Sequence, residues 1–269
     1  MGRLDGAGRL MGKVAIVTGA GQGIGRGISR RFAQEGAAVL VAEVNPETGA
    51  QVEREIVDEL GGQAKFVETN VLDKDDIERM VKIAADELGG VHVLVNNAYV
   101  AGNFGRFEHK PDSDLQLAFD GGPMHTFRAM QAVFPHMKEQ QWGRIINFVS
   151  LNGINAHQYS VDYNAAKLAI QAITRTGARE WARHNILVNC IAPAAASPAY
   201  VAFAEVAPDN AKEMLKQNPV GRMGDPEHDI GGVALFLATE DSDYVTGNTI
   251  FASGGTQVNG VQWDPPMPE

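Results

Sequence analysis

Short apolar runs of strand length alternate with segments of helical period through the first half of this chain, and that alternation constrains the fold more than any other feature. The runs KVAIVT (13–18), VLVAEV (39–44), KFVETN (65–70) and VHVLVNN (91–97) are separated by stretches of helical character. A strand, a covering helix and a further strand form a βαβ unit, and such units in series predict a parallel sheet buried on both faces. After the first run, Ile24, Ile28 and Phe32 recur every fourth residue, giving strand, Gly-rich turn, helix. Residues 46–60 read as a second helix, opened by Pro46 and closed by Gly61-Gly62. Asp73 reads as the N-cap of a third, DDIERMVKIAADEL. No internal repeat interrupts the pattern.

The first turn is TGAGQGIG, with Gly19, Gly23 and Gly25 between a strand end and a helix start. Three such glycines among 30 prove little alone. Their position carries the argument, because glycine lets backbone approach a pyrophosphate whose charge the helix dipole favours. Glu43 falls at the end of the second strand, where a carboxylate accepts hydrogen bonds from adenosine ribose hydroxyls and repels a 2′-phosphate. That reading favours NAD over NADP, and Gln22 in place of an Arg agrees. The plain alternatives are a tight turn without a ligand and a solvated strand-end Glu.

The chemistry is expected between residues 150 and 167, in SLNGINAHQYSVDYNAAK. Tyr163 and Lys167 stand four apart, on one face of a helix. Y-x-x-x-K alone would arise by accident roughly 0.2 times in a chain of this Tyr and Lys content, and roughly 0.005 times once a Ser at one fixed earlier position is required. A phenol with a free pKa near ~10 yields its proton poorly at neutral pH, and a neighbouring ammonium favours the phenolate. Ser150, at the end of RIINFVS, would hold a substrate oxygen beside that phenol.

At 269 residues the chain suits a single α/β domain. Its 23 basic and 33 acidic residues give a net charge of -10 with no clustered Lys or Arg, which argues against nucleic acid and anionic membrane as partners. The apolar runs are far shorter than a membrane span. Residues 1–11 lack the apolar core of a secretory signal and read as a mobile tail. The single Cys190 cannot form an internal disulfide, which suits a reducing compartment, and the cytoplasm is the expected location. No His, Cys or carboxylate spacing resembles a metal site.

From Lys13 to Val258 the chain resembles the short-chain dehydrogenase/reductase family in its compact form. The likeness rests on TGAGQGIG, on NNA at 96–98, on Ser150 with YNAAK, on VNCIAP at 188–193, and on GRMGDPEHDIGGVALFLATEDSDYVTGNTIFASGG near the end. It implies a single Rossmann-fold domain over 12–258 with a seven-stranded parallel sheet and helices on both faces. It also implies a nicotinamide cofactor, hydride exchange between a secondary alcohol and a ketone, and a homotetramer. Ser150, Tyr163 and Lys167 are its catalytic residues. Gly19, Gln22, Gly23, Ile24, Gly25, Glu43, Asn70, Val71, Asn97, Ala98, Pro193 and Ser197 would contact cofactor, together with Tyr163 and Lys167. Asn70 replaces a common Asp, and its side-chain carbonyl would accept from the adenine amino group.

Two departures bear on function. NNAG becomes Asn96, Asn97, Ala98, Tyr99, so either the loop differs or Tyr99 points into the substrate cleft. The family's catalytic Asn falls at Gly122, in FDGGPMHTFRAM, where Gly and the following Pro should break the helix and restart it at Pro123. The Gly122 carbonyl would still hold a relay water for Lys167. His125 is either a proton shuttle or a helix-surface residue. Asn152 and His157, between Ser and Tyr, would line the substrate pocket with Tyr99 and Tyr200. Residues 194–218 read as a lid carrying Tyr200, Phe203 and Met214, suited to a cyclic or bulky apolar alcohol, or else as a subunit contact. Residues 259–269 form a Pro-rich tail. The alternative is a protein that binds NAD(H) with little turnover.

Overall fold

The first strand, β1 (Val14–Thr18), is buried at every position and continues through the glycine turn into α1 (Gly23–Gln34), which ends before Gly36 at φ +86°. This computed structural model describes residues 8–100 and 102–258. β2 (Ala38–Glu43) leads to α2 (Pro46–Arg54). Asn45 caps α2 by accepting the Glu47 amide at 2.9 Å, and Pro46 needs no partner in its first turn. The helical path of 46–60 is as expected, but its last turn, Glu55–Glu59, widens to π geometry before Gly61. β3 (Gln63–Glu68) and α3 (Lys74–Glu87) follow, and the Asp73 carboxylate caps α3 through the Asp75 amide at 2.9 Å.

After β4 (Val93–Asn96) come α4 (Asp112–Phe119), a π segment (Asp120–Met124) and α5 (His125–Glu139). β5 (Gly143–Phe148), a short α6 (Leu151–Ile154), the long α7 (Val161–Trp181) and β6 (Ile186–Pro193) complete the middle. α8 (Pro198–Val206), α9 (Pro208–Lys216), α10 (Gly231–Ala238) and β7 (Thr249–Ala252) close the fold.

All seven strands are parallel, in the order β3-β2-β1-β4-β5-β6-β7. Alternate residues of each strand serve opposite faces. Ala15 and Val17 of β1 join Ile28 and Phe32 of α1, Val52 of α2 and Leu235 of α10, whereas Val14 and Ile16 join Met80 of α3, Val133 of α5 and Ala178 of α7. Complete burial of side chains such as Ile16 and Phe32 contributes about 2–3 kcal/mol each. The strand order reverses between β1 and β4, which opens a crevice at the carboxyl ends of the strands.

Two expectations need correction here. Residues 8–11 are not a mobile tail. Leu10 is fully buried and donates its amide to Glu35 O at 2.8 Å, while Arg9 pairs with the Glu35 carboxylate at 3.3 Å. The remainder of that tail, residues 1–7, and the C-terminal tail, 259–269, lie outside the described residues. The helix also does not break at 121–122. Glycine and proline are absorbed by the wider π turn, so α4 runs into α5 as one rod, with Gly121, Gly122 and Pro123 all buried. A π turn tolerates Pro123 because its hydrogen bonds skip a residue.

Candidate active site

Ser150 ends the β5 run and caps α6, accepting the Asn152 amide on Oγ at 3.1 Å. Its hydroxyl is hydrogen-bonded to the phenol of Tyr163 in the first turn of α7. One turn on, Lys167 Nζ donates to the Phe148 carbonyl at the end of β5, at 3.0 Å. The expected triplet is therefore assembled by two adjacent elements, a strand end and the helix that packs beside it.

The electrostatics differ from the expectation that Lys167 would lower the Tyr163 pKa. Burial pushes the phenol above its ordinary value, and the Ser150 hydrogen bond only partly offsets this. Burial also brings Lys167 down from 10.5 to about 8. The ammonium lies 5.6 Å from the Tyr163 ring centroid and is held by the Phe148 carbonyl.

Tyr99 does not simply project into an open cleft. Its ring lies 4.4 Å from Lys167 Nζ and meets the Tyr163 ring edge to face, with centroids 5.1 Å apart. Its hydroxyl is buried without a hydrogen-bond partner among the described residues, and burial raises its pKa strongly. His125 is buried, not a helix-surface residue. Its Nδ1 lies 3.0 Å from the Gly121 carbonyl, so Nδ1 carries the proton and Nε2 is an acceptor, buried and unpaired among the described residues. Burial and nearby Lys167 lower its pKa to about 4, too low for a shuttle at neutral pH. The Gly122 carbonyl, expected to hold a relay water, accepts the His125 amide within the helix.

A groove of about 560 Å³ opens at the strand-order reversal. It is lined by Gly19, Gln22, Gly23 and Ile24 of the turn, by Glu43, Asn70 and Val71, and by Asn97, Ala98, Tyr99 and Ser197. Of the other expected cofactor residues, Gly25 packs behind the turn, where an added Cβ would stand 2.1 Å from the Gly19 carbonyl oxygen. Pro193 ends β6 outside the groove lining, and Tyr163 and Lys167 adjoin the groove through Tyr99. A second hollow of about 520 Å³, between Arg26 and Val201, shares Gly23 and Pro198 with the groove.

Several groove residues are already engaged by the fold. Glu43 is no solvated strand-end carboxylate. It is largely buried and accepts from the amides of Gly21, Val44 and Asn45 at 2.9, 2.9 and 3.1 Å. Asn97 Nδ2 donates to the carbonyls of Thr18 and Gly19. The Asn70 side-chain carbonyl accepts the Leu72 amide at 3.1 Å, so only its second lone pair is free for adenine. Ser197 Oγ caps α8 through the Tyr200 amide at 3.3 Å. Asn152 on α6 and His157 just after it are both exposed and are joined by a His157 amide to Asn152 carbonyl bond of 3.0 Å, while Tyr200 belongs to α8 across the groove.

Two contributors escaped the sequence reading. Thr18 Oγ1 accepts the amides of Asn97 and Ala98, each at 3.1 Å, and so fixes the β4 loop against β1. A hydroxyl closing an apolar strand just before Gly19 was the available signal. Asn147, buried in β5, accepts from Asn96 and donates to Thr174, tying three elements behind the site. Among the described residues no group of His, Cys, Asp and Glu could hold a metal, and no helix is long and apolar enough to cross a membrane.

The family model described as enoyl-(acyl carrier protein) reductase matches residues 19–257. The 3-oxoacyl-(acyl-carrier-protein) reductase of Thermotoga maritima is 35% identical over 248 residues, 92% of this chain and 98% of that protein. Cyclohexanol dehydrogenase of an Acinetobacter species is 31% identical over 242 residues, 90% of this chain and 94% of that one. A solved 7α-hydroxysteroid dehydrogenase, complexed with NADH and 7-oxo glycochenodeoxycholic acid, superposes with a TM-score of 0.86 at 34% identity, covering 92% of this chain and 95% of that chain. With the seven-stranded parallel sheet and the Ser150, Tyr163, Lys167 cluster at its crevice, these likenesses establish that the chain belongs to the short-chain dehydrogenase/reductase family, oxidoreductases that use a nicotinamide cofactor.

Proposed function

We propose that this protein is an NAD-dependent oxidoreductase that interconverts a secondary alcohol and a ketone on a cyclic or otherwise bulky apolar substrate. The observation that carries the reading is the Tyr163 phenol, hydrogen-bonded to Ser150 and adjoining the groove through Tyr99. A dinucleotide fits the residues present. The groove begins at a glycine turn whose Gly19 and Gly23 adopt φ of +62° and +53°, and Gln22 leaves the start of α1 without a side-chain cap. At the β2 end, three backbone amides fix the Glu43 carboxylate, a negative charge that disfavours a 2′-phosphate.

When bound, the nicotinamide supplies or accepts the hydride. Ser150 would hold the substrate oxygen, and Tyr163 would move the proton at that oxygen. A buried phenol with a raised pKa is neutral at neutral pH, so it stands ready to donate in the reducing direction. Oxidation needs the phenolate and should therefore accelerate as pH rises, until Lys167 loses its proton near 8. Lys167, protonated below about 8, favours that phenolate and would bind the nicotinamide ribose. Exposed Val201, Phe203 and Met214 on α8 and α9 support an apolar substrate beneath a lid over 194–218. The cyclohexanol and hydroxysteroid relatives point the same way. Exposed Leu115, Phe127 and Leu168 on α4, α5 and α7 support a homotetramer built on those helices.

The test is initial-rate NADH formation and consumption over aliphatic, alicyclic and steroid alcohols and ketones, with a 3-oxoacyl thioester in the same panel and NADP run beside NAD. Turnover of a cyclic pair with NAD, abolished by Tyr163→Phe while NADH binding persists, is the expected result. A preference for the thioester would replace the substrate class. Silence with intact NADH binding would favour the second reading, a binding protein, which the raised Tyr163 pKa and Gly122 support.

A further inference from the structure

Lys167 is a buried ammonium that no carboxylate among the described residues compensates. The groups facing it are Tyr163 on its own helix, Tyr99 from the segment after β4, His125 from α5 and Cys190 from β6. None is an anion near neutral pH. The Cys190 thiol is pushed up to about 11, both phenols are raised, and His125 is neutral above about 4. What remains is one carbonyl, that of Phe148 at 3.0 Å, and the Tyr99 ring at 4.4 Å. An ammonium within about 6 Å of an aromatic centroid is attracted to the ring's negative face, and more so where water is excluded.

That ring packs into space left open by the missing Cβ of residue 122. A Cβ on Gly122 would stand 3.0 Å from Tyr99 Cε2 and 3.4 Å from Cδ2. The neighbouring Gly121 is similarly engaged, since its Cβ would meet Val100 Cβ at 2.5 Å, and its carbonyl accepts the Val100 amide at 3.2 Å. Tyr99 and Gly122, the two departures from the family pattern nearest the site, are thus the two halves of one contact.

We propose that Tyr99 is a positioning residue that acts through Lys167, its ring face holding the ammonium charged beside Tyr163 in space that any side chain at 122 would contest. Its role in turnover rests on the alcohol and ketone reading, but its effect on Lys167 does not. The test is therefore a pH titration of Lys167 by NMR of ε-13C-lysine-labelled protein, its resonance assigned with Lys167→Met, alongside pH profiles of turnover. Tyr99→Phe keeps the face and should leave the Lys167 midpoint in place. Tyr99→Leu keeps bulk without the face and should lower the midpoint by about one pH unit, a tenfold loss of proton affinity. The high-pH limb of the turnover profile should move down with it. Gly122→Ala, which pushes on the ring while leaving Tyr99 intact, should move the midpoint in the same direction and stands in if Tyr99→Leu fails to fold. An unmoved midpoint in Tyr99→Leu or Gly122→Ala, or an equal shift in Tyr99→Phe, overturns the proposal. If the wild type turns over no substrate while the midpoints shift as stated, the functional reading fails and this one stands.

Discussion

Replacing Lys167 by Met should make the fold more stable while removing its chemistry. The magnitude follows from the pKa of the buried amine, which falls from 10.5 to about 8, and at about 1.4 kcal/mol per pH unit this burdens the native state by roughly 3 kcal/mol at neutral pH. Met keeps most of the stem and removes the charge. The Phe148 carbonyl then loses its donor, which costs about 1 kcal/mol. The net gain is about 2 kcal/mol, or about 4 °C in Tm for a chain of this size. The sign is pH-dependent, because the native state binds this proton more weakly than the unfolded chain does. The burden is complete below about 8 and fades as pH rises towards 10.5, so the advantage of the variant should shrink over that window. Urea unfolding of the cofactor-free protein at pH 7 and pH 10, followed by circular dichroism, measures both effects. A variant less stable than wild type at pH 7, or one whose gain is the same at pH 10, would refute the reasoning.

Two further outcomes follow from the same geometry. The native pKa of His125 is depressed from 6.5 to about 4, so the stability its neutral form contributes is complete above 6.5 and is lost as pH falls through about 4, by roughly 3 kcal/mol. Unfolding curves of wild type and His125→Gln between pH 4 and 7 should converge at the acid end, and parallel curves would contradict this. Gly25→Ala places a Cβ 2.1 Å from the Gly19 oxygen and 2.7 Å from Asn97 Nδ2, so the turn must open. We expect about 2 kcal/mol less stability and at least about tenfold weaker NADH binding by fluorescence titration.

The sheet was legible because its strands are buried on both faces, and such strands read as unbroken apolar runs whatever surrounds them. The Ser150, Tyr163 and Lys167 cluster was legible because one helical turn and one strand end bring it together with little help from elsewhere. What stayed hidden depended on distant partners. Local propensity gives Gly121, Gly122 and Pro123 a broken helix, but the glycines are matched to Val100 and Tyr99 of another segment, and that packing overrides propensity. Leu10 looked like part of a tail because its partner, the Glu35 carbonyl, lies beyond a strand and a helix. The Tyr163 pKa was misjudged for a related reason. Spacing places an ammonium near a phenol, but it does not reveal that both are dry.

The wide turn at Asp120–Met124 also works as a change of phase. A π turn accommodates one residue more than the regular helix would, so the windings before and after it are offset by about 100°. α4 lies against α7, while α5 turns to β4, β5 and α3. Deleting any one residue from 120–124 would restore a single winding and swing one of these surfaces off its partner, whatever the residue removed. Here the number of residues is part of the specification, as much as their kind.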